Sequence, residues 1–256
     1  MSSLFFSAFI AIALTACATT SIIAQPEARV LIVTTSHSAL INSNTPTGYS
    51  LPDVVNPYYI FIQAGWTVDI ASPAGNRPPV DERTIDTSDN RIRYFLVDTV
   101  LQNKLSSTLA SRDVKPENYD VVLFAGGHGA LWDFLADQHL HTLAAKVFGK
   151  RGIVATIGQG AAVLLNTKLS DGSVIYKSSR ITSATDEEER ARGLEYNLPY
   201  ALETALRRGG GIIFADKPNA QNTVVEHRLI TGQNSASARG VAQAVVAKWK
   251  ELQTSK

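Results

Sequence analysis

With 256 residues, 45% hydrophobic and 18% charged, the chain has the content of an ordinary globular protein and length for one large core or two small ones. A formal net charge of +1 excludes the broad basic surface used to hold nucleic acid or an anionic membrane, which leaves small molecules or proteins as expected partners. The single cysteine, Cys17, excludes both a disulfide framework and a cysteine metal site.

In chain order, Leu4 to Ala18 is an apolar stretch too short to span a bilayer, and small residues follow it before the first charge at Glu27. This predicts a signal peptide over residues 1–24, cleaved after Ala18 or after Ala24. Leu14-Thr15-Ala16-Cys17 also has the form of a lipoprotein box, in which Cys17 carries the lipid and gives the only expected route to a membrane. The expected location is secreted or periplasmic, with anchoring at Cys17 as the alternative. A single domain is expected over residues 25–256.

Ala28 to Thr35 is a short β-branched run, as expected of a strand covered on both faces. The next periodic segment, from Leu51, predicts a helix ending at Gly65; Asn56-Pro57 or Ser50 can cap it, which allows a start in two steps. Trp66 to Ser72 returns as a strand, so the order is β-α-β and the class α/β, a mainly parallel central sheet with helices on both faces. Residues 73–118 are too long for an ordinary connection, carry one helix near Ile92 to Leu105, and are expected to form a lid or an interface excursion. Val121 to Gly127 is a strand ending in a glycine turn, and Asp137 to Lys150 a helix. Further on, Lys168 to Thr185 is expected to be a β-excursion, Asp186 to Arg192 and Leu198 to Arg208 helices, Asn222 to Gln233 a strand pair turning near Glu226-His227, and Ser235 to Leu252 a closing helix.

The organising stretch is Gly152 to Asn166, GIVATIGQGAAVLLN, where an apolar run breaks at Gly158-Gln159-Gly160 and a helical segment begins. A strand, elbow and helix in that order display one residue at the carboxyl end of a parallel strand, with helix N-terminal N–H groups aimed at whatever binds. The displayed residue is Gly158, which has no side chain with which to attack.

The motifs TGYSLPDVVNPYY at Thr47, YDVVLFAGGHGALWDF at Tyr119, ITSATDEEE at Ile181 and RLITGQNSASA at Arg228 resemble the DJ-1/PfpI superfamily, of the class I glutamine amidotransferase-like fold, and its glyoxalase III-like branch. The resemblance implies a flavodoxin-like three-layer sandwich, a homodimer and no cofactor. It also implies a cysteine followed by histidine at the elbow, where this chain has Gly158 and Gln159, and a glutamate three residues before a His-Pro pair, where it has Asp53, Asn56 and Pro57. A thiolate attack needs that nucleophile, a nearby base and oxyanion donors. Only the donors survive: the N–H groups at Gly127, His128 and Gln159 are expected to face a ligand oxygen, with Gly127, His128, Gly158 and Gln159 forming the binding site.

Asp53 reads either as an acid or base protruding into the pocket or as a helix N-terminal carboxylate satisfying donors near Ser50. His128 shows no orienting partner in the sequence, and Glu187 and Glu188, near the position of a family triad acid, read as a solvated helix face. No metal site is expected. The leading expectation is an exported, non-catalytic binder of a small carbonyl or carboxylate ligand or of a protein partner, without thiol-dependent glyoxalase, amidotransferase or protease activity. The alternative is a cofactor-independent hydratase, lyase or isomerase using Asp53 as base and a backbone oxyanion hole, and the third reading is a chaperone-like protein.

Overall fold

The computed structural model describes residues 27–41 and 45–255; the leader expected at 1–24, with Cys17, lies outside the described residues. Strand β1 (Arg29–Val33) shows how the layers arise. Successive side chains of a strand point to opposite faces, and both faces are apolar: Val30 and Ile32 enter one core cluster while Leu31 and Val33 enter the other. A strand buried on both sides belongs in the middle of a sheet, and β1 lies there, parallel to β2 (Thr67–Ser72) and to β4 (Val121–Phe124). With β3 (Leu109–Ala110), β5 (Ile153–Ile157), β8 (Thr223–Glu226) and β9 (Leu229–Gly232), the sheet has seven strands in the order β3-β2-β1-β4-β5-β9-β8. Only β8 runs antiparallel, through a hairpin that places His227 at φ 54°. The short strands β6 (Arg180–Ile181) and β7 (Ile212–Ile213) pair separately.

Helix α1 (Leu51–Gln63) starts at Ser50 in a single step. Asn56 is therefore buried inside the helix and is no cap, and Pro57 stands in the helix interior. The helix expected near Ile92 to Leu105 is two, α2 (Asn90–Phe95) and α3 (Thr99–Ser106). Asp98 causes the break, because its carboxylate accepts from the Val100 and Leu101 N–H groups as the N-cap of a new helix. The glycine turn after β4 leads into a further helix, α4 (Ala130–Ala136), ahead of α5 (Gln138–Gly149). After the elbow the chain forms a nine-residue 3-10 helix (Gly158–Asn166), tighter than the α-helix expected there. The expected β-excursion at 168–185 reduces to one bridge, Lys168 to Val174, and β6. Helices α6 (Asp186–Ala191), α7 (Leu202–Arg208) and α8 (Ala238–Thr254) complete the chain, with α8 lying against α1.

The order reverses between β1 and β4, since β1 leads outward to β2 and β4 leads outward to β5. A crevice opens at such a switch point beyond the carboxyl ends of the strands. The glycine turn after β4 and the elbow after β5 both emerge there.

Candidate active site

The elbow has the backbone that the sequence requires. Gly158 stands at φ 53°, in the left-handed region, and a Cβ built there meets nothing closer than Asn234 Cα and Gln233 O at 3.8 Å. Gly127 differs: its φ is 111°, and a Cβ would come within 2.2 Å of the Gly48 carbonyl oxygen. Gly127 is thus fixed by close packing as well as by conformation, whereas Gly158 leaves space for a side chain.

Next to the elbow the structure assembles a polar cluster that was only partly visible in the sequence. Gln159 Nε2 donates to Glu189 Oε1 at 2.6 Å, and His128 Nε2 lies 2.9 Å from Glu189 Oε2. His128, Gln159 and Glu189 are all buried. Burial pushes the Glu189 carboxyl upward, but the His128 bond and charge, the Gln159 bond and the Arg192 charge together hold it below its ordinary value. An ionised carboxylate is acceptor-only, so His128 Nε2 carries the hydrogen of their bond, and in the uncharged form of the ring the lone pair is on Nδ1. The orienting partner missing from the sequence reading is therefore Glu189.

The α6 carboxylates divide in a way that corrects the expected solvated face. Glu187 is exposed. Glu188 is 1% exposed and is used structurally, its Oε1 accepting from Asn219 N at 2.9 Å and Asn234 Nδ2 at 2.7 Å. Glu189 enters the site. The signal that could have found it is the capping box of Thr185 and Glu188: with the helix start fixed at Thr185, Glu189 lies four residues on, on the same face as that buried threonine.

One expected donor is already occupied. The Gly127 N–H donates to Gln159 Oε1 at 3.2 Å, because the glutamine side chain supplies its own acceptor. It therefore does not wait for a ligand oxygen. The first N–H groups of the 3-10 helix, beginning with those of Gly158 and Gln159, have no intrahelical acceptor and remain as the elbow's donors.

Asp53 does not line the cavity. Its Oδ1 accepts from Ser50 Oγ at 3.0 Å and its Oδ2 from the Gly126 N–H at 3.1 Å, which fits the reading as a helix N-terminal carboxylate. Burial pushes its carboxyl up to about 6, against the downward pull of Ser235, Ser50, Gly126 and Arg192. Ser50 and Ser235, whose hydroxyls are 2.8 Å apart, do line the cavity. Asp53 thus communicates with the pocket through hydroxyls.

That raised value fixes a sign. A carboxyl near 6 when folded and near 3.8 when unfolded holds its proton more tightly in the native state, so its contribution to stability falls as pH rises between those values and is flat above them. Asp53→Asn keeps one acceptor for Gly126 and removes the titration. The stability of the wild type relative to Asp53→Asn is expected to fall by about 2 kcal/mol between about pH 4.5 and about pH 7.5. Urea unfolding of both chains across that range measures it, and a constant difference would refute the shift.

The cavity over these groups has a volume of about 370 Å³. One wall is Asp81, Arg83 and Thr84, from the 73–118 segment; the others include His128, Gln159, Arg192, Leu194, Asn234 and Ser235. Arg83 is held by Asp81 in a two-bond pair, and Thr84 Oγ1 accepts from the Leu51 N–H, tying this wall to the start of α1. Tyr49 and Trp132 are absent from the wall; Trp132 stacks on His37 at 4.5 Å.

A model of the DJ-1/PfpI family matches residues 39–248. The chain belongs to the DJ-1/PfpI family. Glyoxalase 3 of Candida albicans is 26% identical over 234 residues, spanning 87% of this chain and 98% of that protein. The glutathione-independent glyoxalase HSP31 of Saccharomyces cerevisiae is 24% identical over 225 residues, 84% of this chain and 94% of its own. Among solved structures, Rapid Encystment Protein 24 kDa of Francisella tularensis matches with a TM-score of 0.83 at 33% identity, covering 87% of this chain and 98% of that one. Glyoxalase III of Candida albicans matches with a TM-score of 0.80 at 24% identity, covering 86% and 97%. The three-layer α/β fold expected from the sequence is that of the family.

These relatives correct the leading functional expectation. Proteins that align along nearly the whole chain bear the names of enzymes, so a missing elbow cysteine is not sufficient ground for a non-catalytic binder. The absent thiol is not the whole of the site, since the buried His128 and Glu189 stand paired at 2.9 Å beside the elbow without it.

Proposed function

We propose that the chain is an enzyme acting on small 2-oxoaldehydes, converting them to 2-hydroxy acids by proton transfer and without a thiol. The names of its relatives support the substrate class. The observation that carries the reading is the imidazole of His128, on the cavity wall with Nε2 held by the Glu189 carboxylate. A base oriented by a third group is the arrangement that general base catalysis requires.

In the net reaction a 2-oxoaldehyde and water give a 2-hydroxy acid. An oxygen nucleophile adds to the aldehyde carbon, C1. His128 Nδ1 removes the C1 hydrogen as a proton, the electron pair forms an enediolate, and the proton returns at C2. Glu189 is a positioning residue, which fixes the tautomer and balances the imidazolium. Arg192 and the elbow N–H groups are placed to offset the charge that develops on the enediolate oxygens. No step calls on Cys17, the chain's only cysteine.

Purified protein is expected to convert methylglyoxal to lactate, to be indifferent to iodoacetamide, and to lose about 10²- to 10⁴-fold in kcat on His128→Ala. Absence of lactate formation, or full activity in His128→Ala, would refute the reading.

A further inference from the structure

Ser235 opens the short turn ahead of α8, one residue beyond Asn234, whose Cα lies 3.8 Å from the place a Gly158 Cβ would occupy. The space left by the absent elbow side chain is thus bordered by the turn that carries Ser235. Ser235 Oγ is 2.8 Å from Ser50 Oγ, and Ser50 Oγ donates to Asp53 Oδ1. A hydroxyl has one proton to give. With the Ser50 proton directed to the carboxylate, Ser235 is left to donate in the bond the two hydroxyls share, and it also lies close enough to Asp53 to hold the carboxyl down directly. Exposure rises along this chain of groups, from Asp53 at 1% through Ser50 at 3% to a half-buried Ser235 on the cavity wall. The hydroxyl that a ligand meets is therefore that of Ser235, and the base at the far end is sealed from water.

We propose that Ser235 is the nucleophile of this cavity, in place of the absent elbow thiol, and that its proton passes through Ser50 to Asp53. The substrate is a small electrophilic carbonyl compound, the 2-oxoaldehyde of the preceding reading, on which this inference rests. Ser235 Oγ forms a bond to the aldehyde carbon, its proton moves to Ser50 while that of Ser50 moves to Asp53, and the new oxyanion is protonated in return to give a hemiacetal. The proton shift from C1 to C2 through His128 then leaves an ester of Ser235, which water hydrolyses to the 2-hydroxy acid and the free hydroxyl. No oxidant or reductant is consumed. A carboxyl raised by burial is basic enough to hold a proton near neutral pH, which an ordinary aspartate is not.

Diisopropyl fluorophosphate, a small phosphorylating probe, tests this on the native chain. Attack on phosphorus expels fluoride, and the proton goes to Asp53 by the same route. Peptide mass spectrometry is expected to place one adduct on Ser235, with labelling slowed about a hundredfold in Asp53→Asn and about tenfold in Ser50→Ala. No adduct, an adduct on another residue alone, or an unchanged rate in Asp53→Asn would overturn the proposal. Methylglyoxal turnover separates the two readings. Ser235 labelled in a chain without turnover would sink the 2-oxoaldehyde reading and leave the nucleophile standing, whereas full turnover in a folded Ser235→Ala chain would sink the nucleophile and leave the 2-oxoaldehyde reading standing.

Discussion

Glu189→Gln is expected to lower kcat by about 10²- to 10³-fold and to destabilise the fold by about 2–4 kcal/mol. Both effects have one cause. Glu189 receives hydrogen from Gln159 on one oxygen and from His128 on the other, and the glutamine that replaces it has one oxygen and one NH₂ group. If the NH₂ faces Gln159, a buried donor faces a donor with no water to take it, because His128 and Gln159 are both buried; if it faces His128, the ring must accept through Nε2 and takes the Nδ1–H tautomer. In that tautomer Nδ1 carries hydrogen and no longer offers a lone pair as base. Chemical unfolding and methylglyoxal turnover of the same preparation measure the two effects. A variant with both wild-type stability and wild-type turnover would show that Glu189 is not the acceptor for both groups.

Gly158→Cys tests the other half of the site. The expected cost in stability is about 1–2 kcal/mol, set by a φ of 53° and not by steric conflict, since the nearest atoms to a Cβ lie at 3.8 Å. The new thiol stands at the start of a nine-residue helix whose first N–H groups have no intrahelical acceptors, which favours the thiolate. Asp53 opposes this once it ionises above about 6, but the helix donors face the elbow and the carboxylate is already bonded to Ser50 and Gly126. The thiol is expected to react with iodoacetamide faster than free cysteine at neutral pH, and methylglyoxal turnover to rise at least about tenfold, because a thiolate is a better nucleophile than any hydroxyl of the cavity. A thiol pKa at or above about 8.5, read from the alkylation rate against pH, would mean that the elbow no longer presents a positive end.

How far the sequence reached depended on whether a signal was local. The strands from Arg29, Val121 and Ile153 were legible because a continuous apolar run leaves few other options, that from Thr67 because its residues alternate, and Gly158 because its neighbours announce a strand followed by a helix. The α2/α3 break was missed although Asp98 was in view, because an aspartate within an apolar-periodic stretch reads equally as a surface position until its carboxylate is seen to accept from Val100 and Leu101. Glu189 was missed by one position in a run of acids, where only the helix phase distinguishes exposed Glu187 from its buried neighbours. The Asp53, Ser50 and Ser235 chain was beyond reach of any local pattern, since it joins residues 185 positions apart. Long-range side-chain contacts of this kind depend on how α1 and α8 meet.

The Gln159 amide has a consequence for any molecule that enters. Its Oε1 rests on the Gly127 N–H as a substrate carbonyl would, so the site carries a tethered competitor at an effective concentration that no diffusing ligand matches. A ligand that sought this donor would first have to evict the side chain, and eviction would also break the 2.6 Å bond to Glu189. Selection therefore favours molecules that leave the amide seated and occupy the remaining volume towards Ser235 and Arg192. The site thereby discriminates by the room it withholds as much as by the groups it offers.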